Sequence, residues 1–247
     1  MKRLLLFPAI LLLNIFALQA QNCLLKTKTA NLEGRTDITS YEHDSKTGLL
    51  TERRVPDMQG GQYLQTFTYY EGTLSRVETG EYYALYFVGD RDLVDGAIDY
   101  DDLNVSHSYK TYEYDAEGRM IKYTLFETPY LEDTGVVEYI LYSYDGDKMV
   151  KEVSYMSYPT EGAEPTSTTV FEYSDHPNPE FNQVYNPQYT HKYVITKAAC
   201  TTSDSMDEYN SYTCECSYNK HGYPEKCVSK NPDGSERSVV EYAYKCK

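Results

Sequence analysis

The chain has 247 residues, 38 acidic against 23 basic, a formal net charge of −15 and a sequence pI near 4.7. That balance opposes non-specific nucleic-acid binding, which depends on neutralising phosphates, and it opposes adsorption to anionic lipid. There are 28 tyrosines and no tryptophan, so the apolar area available to a core is largely aromatic and carries hydroxyls.

Residues 1–20 read as a secretory signal peptide: Lys2 and Arg3, an apolar run broken only by Asn14, and a small residue, Ala20, at the expected cleavage point. A membrane anchor would need ~20 apolar residues. Asn22 stands where a lipoprotein processing site has a small residue, so lipid anchoring at Cys23 is the weaker reading. Removing 1–20 takes two basic residues and no acidic one, leaving 21 basic against 38 acidic and a formal charge of −17. A secreted or periplasmic destination follows. Residues 21–247 form a single all-β domain, with a cysteine-rich C-terminal part over about 192–247.

Strand signals fill that domain. Segments 63–70, 82–88, 136–144, 149–158, 166–173, 192–200, 209–218, 223–230 and 238–245 are rich in Tyr, Val, Thr, Phe and Ile. No stretch after the signal sustains an apolar 3.6 period long enough for a helix. The clearest unit is 110–123, where Tyr112 and Tyr114 alternate into a polar Asp115-Ala116-Glu117-Gly118 break and a second alternating run leaves. This is a β-hairpin with Gly118 where a positive φ is needed. A four-residue loop places Tyr114 opposite Arg119 and Tyr112 opposite Ile121. Tyr112, Tyr114, Arg119, Ile121 and Leu125 then share one face, with Thr111, Glu113, Met120 and Lys122 on the other. Looser copies anchored at 44, 70, 145, 174, 219 and 245 imply roughly a dozen strands.

Two longer gaps, 89–104 and 175–188, are polar with turn formers and read as surface loops. The first is acidic, and Asp90, Asp92 and Asp95 are its candidate calcium ligands. Val94 stands where an EF-hand needs a ligand, so a solvated loop is the preferred reading. Segment 136–144 is apolar on both faces and is predicted to be the most enclosed strand.

All six cysteines, Cys23, Cys200, Cys214, Cys216, Cys227 and Cys246, lie after the signal, as in an exported disulfide protein. Cys214-Glu215-Cys216 lacks the spacing of a zinc site. If 219–222 is a loop, Cys214 sits opposite Cys227, and that pair is preferred; the other pairings stay open.

Residues 112–120, Tyr-Glu-Tyr-Asp-Ala-Glu-Gly-Arg-Met, resemble the YD repeat of bacterial RHS-type proteins, Y-x-Y-D-x-x-G-R-L. Segment 142–149 keeps Tyr-x-Tyr-Asp without the Gly-Arg. The chain is more similar to small exported bacterial proteins in which degenerate YD-like hairpins build a curved antiparallel sheet or open barrel. That resemblance implies an architecture, an open or closed barrel of roughly a dozen strands, and supplies no catalytic residues. No G-x-S-x-G, H-E-x-x-H or Gly-rich phosphate loop occurs. The expected protein is therefore a non-enzymatic envelope or extracellular binding or structural module without a cofactor, its partner an unknown protein or glycan. A carbohydrate-binding or carbohydrate-active protein using exposed tyrosines is the first alternative, and an outer-membrane β-barrel is the second.

Overall fold

Among the described residues, five connections between strands repeat one hydrogen-bond pattern. In the Asp115 turn, the Asp115 N–H donates to the Arg119 carbonyl (3.0 Å) and the Gly118 N–H donates to the Asp115 carbonyl (3.2 Å). The turns starting at Asp57, Asp101, Asn219 and Asn231 make the same two bonds. In four of the five, the first side chain's oxygen also accepts from the amides two and four residues on; for Asp115 these are Glu117 (3.1 Å) and Arg119 (2.9 Å). Partial burial alone would raise the Asp115 carboxyl, but the Arg119 amide and guanidinium outweigh it and hold the group below the usual carboxylate range. The fourth residue must be left-handed: Gly118 has φ +79°, and Asn104 takes the role at φ +60°. Gly118→Ala is expected to cost about 1–2 kcal/mol in urea unfolding; an unchanged midpoint would show that the positive φ does not constrain this turn.

In this computed structural model, residues 23–246 are described except 33, 58, 90–92, 128–134, 158–161, 182–190 and 204–209. Residues 1–20, read as a signal peptide, lie outside them. Sixteen strands follow: β1 (Cys23–Leu32), β2 (Arg35–His43), β3 (Leu50–Pro56), β4 (Gln62–Tyr70), β5 (Thr73–Thr79), β6 (Tyr82–Val88), β7 (Val94–Tyr100) and β8 (Ser106–Tyr114). The second half is β9 (Met120–Glu127), β10 (Val136–Asp145), β11 (Lys148–Tyr155), β12 (Ser167–Pro177), β13 (Tyr193–Thr202), β14 (Tyr212–Tyr218), β15 (Pro224–Lys230) and β16 (Glu236–Cys246). Each strand pairs antiparallel with the next, and β1 pairs with β16, so the meander closes into a barrel without edges. The Cys23–Cys246 disulfide staples that seam.

A ring of sixteen strands encloses a wide lumen that side chains must fill or water will. Here one half is filled. Leu25, Tyr41, Leu50, Phe67 and Leu74 form one core cluster; Val94, Ala97, Tyr112, Met120, Tyr123, Ile140, Tyr142 and Met149 form the other. Tyr86 packs against both. Leu50, Leu74, Val94, Met120, Met149 and Pro224 each stand first or second in an odd-numbered strand, so the dense half lies at one end of the barrel. The same end explains the choice of tyrosine over phenylalanine. Tyr114 Oη donates to the Val94 carbonyl (2.7 Å), Tyr144 to that of Met120 (2.9 Å), Tyr244 to that of Pro224 (2.7 Å), and Tyr173 to that of Met149. A ring long enough to reach into so wide a lumen ends on the first or second carbonyl of the neighbouring strand, which satisfies both groups.

The structure corrects the register expected from the sequence. Tyr112 faces Tyr123, and Tyr114 faces Met120. Arg119 belongs to the turn, and Ile121 is the extra residue of a β-bulge, so Met120 points inward (3% exposed) and Ile121 outward (36%). The two predicted surface loops are corrected as well. Segment 89–104 contains β7, whose Val94 and Ala97 are fully buried. After β12, Pro179 is fully buried, and Glu180 accepts from Lys28 Nζ (2.8 Å) and Tyr41 Oη (3.0 Å) on β1 and β2. Those strands do not adjoin β12 or β13, so Glu180 reaches across the lumen, while 182–188 of the predicted loop lie outside the described residues. In segment 136–144, β10 buries Tyr139 on one face and Ile140 and Tyr142 on the other, while Val137 stays 39% exposed.

Candidate functional site

The end opposite the dense core holds a cavity of about 410 Å³ on the lumen side of β4–β8. Its walls include Gln65, Thr79, Tyr82, Tyr86, Asp99 and Ser108. Strand alternation puts these on the inner face: Tyr86 pairs with buried Ala97, Ala84 with Asp99, and Asp99 with Ser108. The polar groups are held from behind. Asp99 is engaged by Lys110 (2.7 Å) and accepts a hydrogen bond from the Ser108 hydroxyl. Gln65 Oε1 accepts from Arg53 Nε (2.7 Å), and its amide nitrogen donates to Thr79 Oγ1 (3.1 Å). No sequence motif marks this cavity, because its residues are scattered over more than forty positions on four hairpins; only the inward parity of β4–β8 joins them.

Elsewhere on the lumen wall, Glu138 and Glu152 come from neighbouring strands β10 and β11. Burial raises both carboxyls, and for Glu152 the Glu138 charge adds to it. Glu152 lies opposite Tyr142, four residues along β10 from Glu138, which is about 13 Å of strand.

The cysteines settle differently from expectation. Cys216, not Cys214, pairs with Cys227. The cause matches that in the 110–123 hairpin: Tyr223 belongs to the turn, and a bulge before Lys226 advances the register, so Cys216 faces Cys227 and Cys214 faces Ser229. Cys214 keeps its thiol, with Sγ 3.8 Å from that of Cys216, and burial pushes that thiol's pKa up. Cys200 is a buried thiol. Cys23 is bonded to Cys246, so its sulfur is engaged in the seam. Of the calcium candidates, Asp95 lies on β7 with its side chain exposed, while Asp90 and Asp92 lie outside the described residues.

The outer wall carries cross-strand ion pairs. Glu172 and Lys197 face each other on β12 and β13 (2.8 Å), Glu113 and Lys122 on β8 and β9, Lys226 and Glu241 on β15 and β16 (3.4 Å), and Glu215 reaches Lys230 (3.5 Å). Each alternates along its strand with lumen-facing neighbours such as Phe171, Tyr112 and Cys216. No helix among the described residues is long and apolar enough to cross a membrane.

The chain is thus an all-β antiparallel meander closed into a sixteen-stranded barrel. Neither a protein-family profile nor a curated protein matches it. Among solved structures it is similar to a porin-like protein from Bacteroides uniformis, with a TM-score of 0.62 and 14% identity over 89% of this chain and 96% of that one. A porin-like protein from Bacteroides vulgatus aligns with a TM-score of 0.47 and 9% identity over 90% and 98%. A TcdB2-TccC3-Cdc42 structure aligns with a TM-score of 0.31 and 16% identity over 83% of this chain and 9% of that one. The first of these similarities bears on the fold, and on the fold alone.

Proposed function

We propose that this chain is an exported bacterial β-barrel that stays in water and serves as a non-enzymatic binding or structural module of the envelope or extracellular space. The observation that carries the reading is the outer wall. Lys122, Lys197, Lys226 and Lys230 project outward from three strands, β9, β13 and β15, each beside an acidic partner. A lysine at the lipid face of a barrel costs about 2–4 kcal/mol at mid-bilayer, and the paired carboxylates would add to that, whereas in water the same pairs are close to neutral. The signal-like segment 1–20 and the two disulfides support export. The recurrent Asp/Asn turn with its left-handed fourth residue supports kinship with YD-type hairpins.

The second reading, an outer-membrane barrel, draws on the porin-like neighbour and on the outward apolar side chains Phe87, Ile121, Val137 and Val170. Detergent phase separation of residues 21–247 distinguishes the two. The aqueous phase is expected to hold the protein, with a single sedimenting species in detergent-free buffer. Recovery in the detergent phase, or only with urea-washed outer membranes, would replace the first reading by the second.

A further inference from the structure

We infer that the lumen cavity at the open end of the barrel binds a short, uncharged saccharide. The inference rests on the reading of the chain as a water-soluble binding module and supplies its ligand class. A cavity of about 410 Å³ falls in the range of small-molecule sites. Its inner limit is aromatic and apolar: Val77 packs against one core cluster and Tyr86 against both, so this floor is backed by the densest part of the molecule. Its mouth carries Tyr82, 62% exposed, on the first residue of β6.

Between floor and mouth stand an amide, a carboxylate and two hydroxyls, and each is already oriented by a neighbour. Gln65 is fixed between Arg53 and Thr79, and Asp99 between Lys110 and Ser108. Little ordering is left for a ligand to impose. The same bonds set its charge. Lys110 neutralises Asp99, so a cationic ligand meets a carboxylate that is already matched. An anion meets Asp99 inside a chain with a large acidic excess. A purely apolar ligand would strip water from the donor and acceptor positions that Gln65, Asp99 and Ser108 still offer beyond these bonds and return nothing, at about 1–3 kcal/mol for each position left unpaired. A neutral polyhydroxylated ring avoids all three penalties: its C–H face stacks on tyrosine while its hydroxyls meet amide, carboxylate and hydroxyl.

The test is a glycan array carrying neutral, sialylated and sulfated glycans, probed with folded residues 21–247. Calorimetric titration with the strongest neutral glycan in free form follows. Neutral glycans are expected to bind and acidic ones not to. Tyr82→Ala and Gln65→Ala are each expected to weaken binding about tenfold or more, the equivalent of one lost stacking or charge-neutral polar contact. Tyr70→Ala, which removes a ring 70% exposed at the dense end, is expected to leave binding unchanged. Tyr82 is exposed enough that its removal leaves the fold intact, which a melting curve checks. An array without neutral glycans, a preference for acidic ones, or full affinity in both cavity variants would overturn the assignment. If the protein partitions into detergent, the reading beneath this site fails; if it stays in water and binds no neutral glycan, the site alone fails.

Discussion

Replacing Cys23 and Cys246 together by serine is expected to destabilise the protein more than replacing Cys216 and Cys227. The first bridge closes a loop with a sequence separation of 223 and the second one of 11. In the chain-entropy treatment these correspond to about 5 and about 3 kcal/mol of lost denatured-state freedom. The topology adds to the contrast. Cys216–Cys227 joins β14 and β15, a hairpin whose strands are already held by a short turn. Cys23–Cys246 joins the first and last strands, which no turn connects, and β1–β16 pairing is what removes the barrel's two edges. Urea unfolding of the two double variants, read by tyrosine fluorescence and far-UV circular dichroism, measures the difference. The Cys23→Ser/Cys246→Ser protein is expected to lose about 2 kcal/mol more than its counterpart and to self-associate as the seam opens. Equal losses, or a larger one at Cys216–Cys227, would mean that the seam is held by its ladder and side chains, with the staple incidental.

The same seam shows what sequence alone reveals and what it hides. Period-2 tyrosines and Asp-x-x-Gly turns announce an antiparallel meander, because local backbone preferences write both. Closure is a pairing between opposite ends of the chain, and the lone early cysteine, Cys23, matched by Cys246, was its one trace. Register was lost at two hairpins for one reason. The residue after the left-handed glycine still belongs to the turn, and a bulge follows it, so Tyr112 meets Tyr123 and Cys216 meets Cys227. Strand β7 was hidden among aspartates because Asp95 faces outward and Asp99 faces the lumen cavity beside Lys110, so its acidic residues do not break the strand. Pro179 and Glu180 read as loop residues, since nothing local signals that Lys28 and Tyr41 wait across the lumen. The cavity was illegible for the same cause: four hairpins must fold before its walls meet.

His191 is expected to make the barrel acid-sensitive in a defined window. Burial lowers its pKa to about 4, and the ring sits edge-on to Phe171 with centroids 4.8 Å apart. The Tyr173 hydroxyl proton goes to the Met149 carbonyl, so the 2.8 Å bond between Tyr173 Oη and His191 Nδ1 is donated by the imidazole, which fixes the neutral Nδ1–H tautomer. In the unfolded chain the imidazole titrates near its ordinary value of about 6.5. As pH falls from about 6.5 to about 4, the unfolded state takes up a proton that the folded state refuses, so stability drops across that window and no further below it. The full drop amounts to about 3 kcal/mol at 1.36 kcal/mol per pK unit. Glu138 and Glu152 work in the opposite direction. Their carboxyls are raised in the folded state, so they hold protons there more tightly than when unfolded, and their contribution rises as pH falls through the same region. The wild-type curve sums these opposing slopes, which is why the informative quantity is a difference. His191→Gln keeps a donor for Tyr173 and removes the titration. Its stability relative to wild type, measured by urea unfolding at pH 7 and pH 4, is expected to improve by about 3 kcal/mol on acidification. Parallel curves for the two proteins would place the proton on His191 at its ordinary pKa and show the ring to be wet.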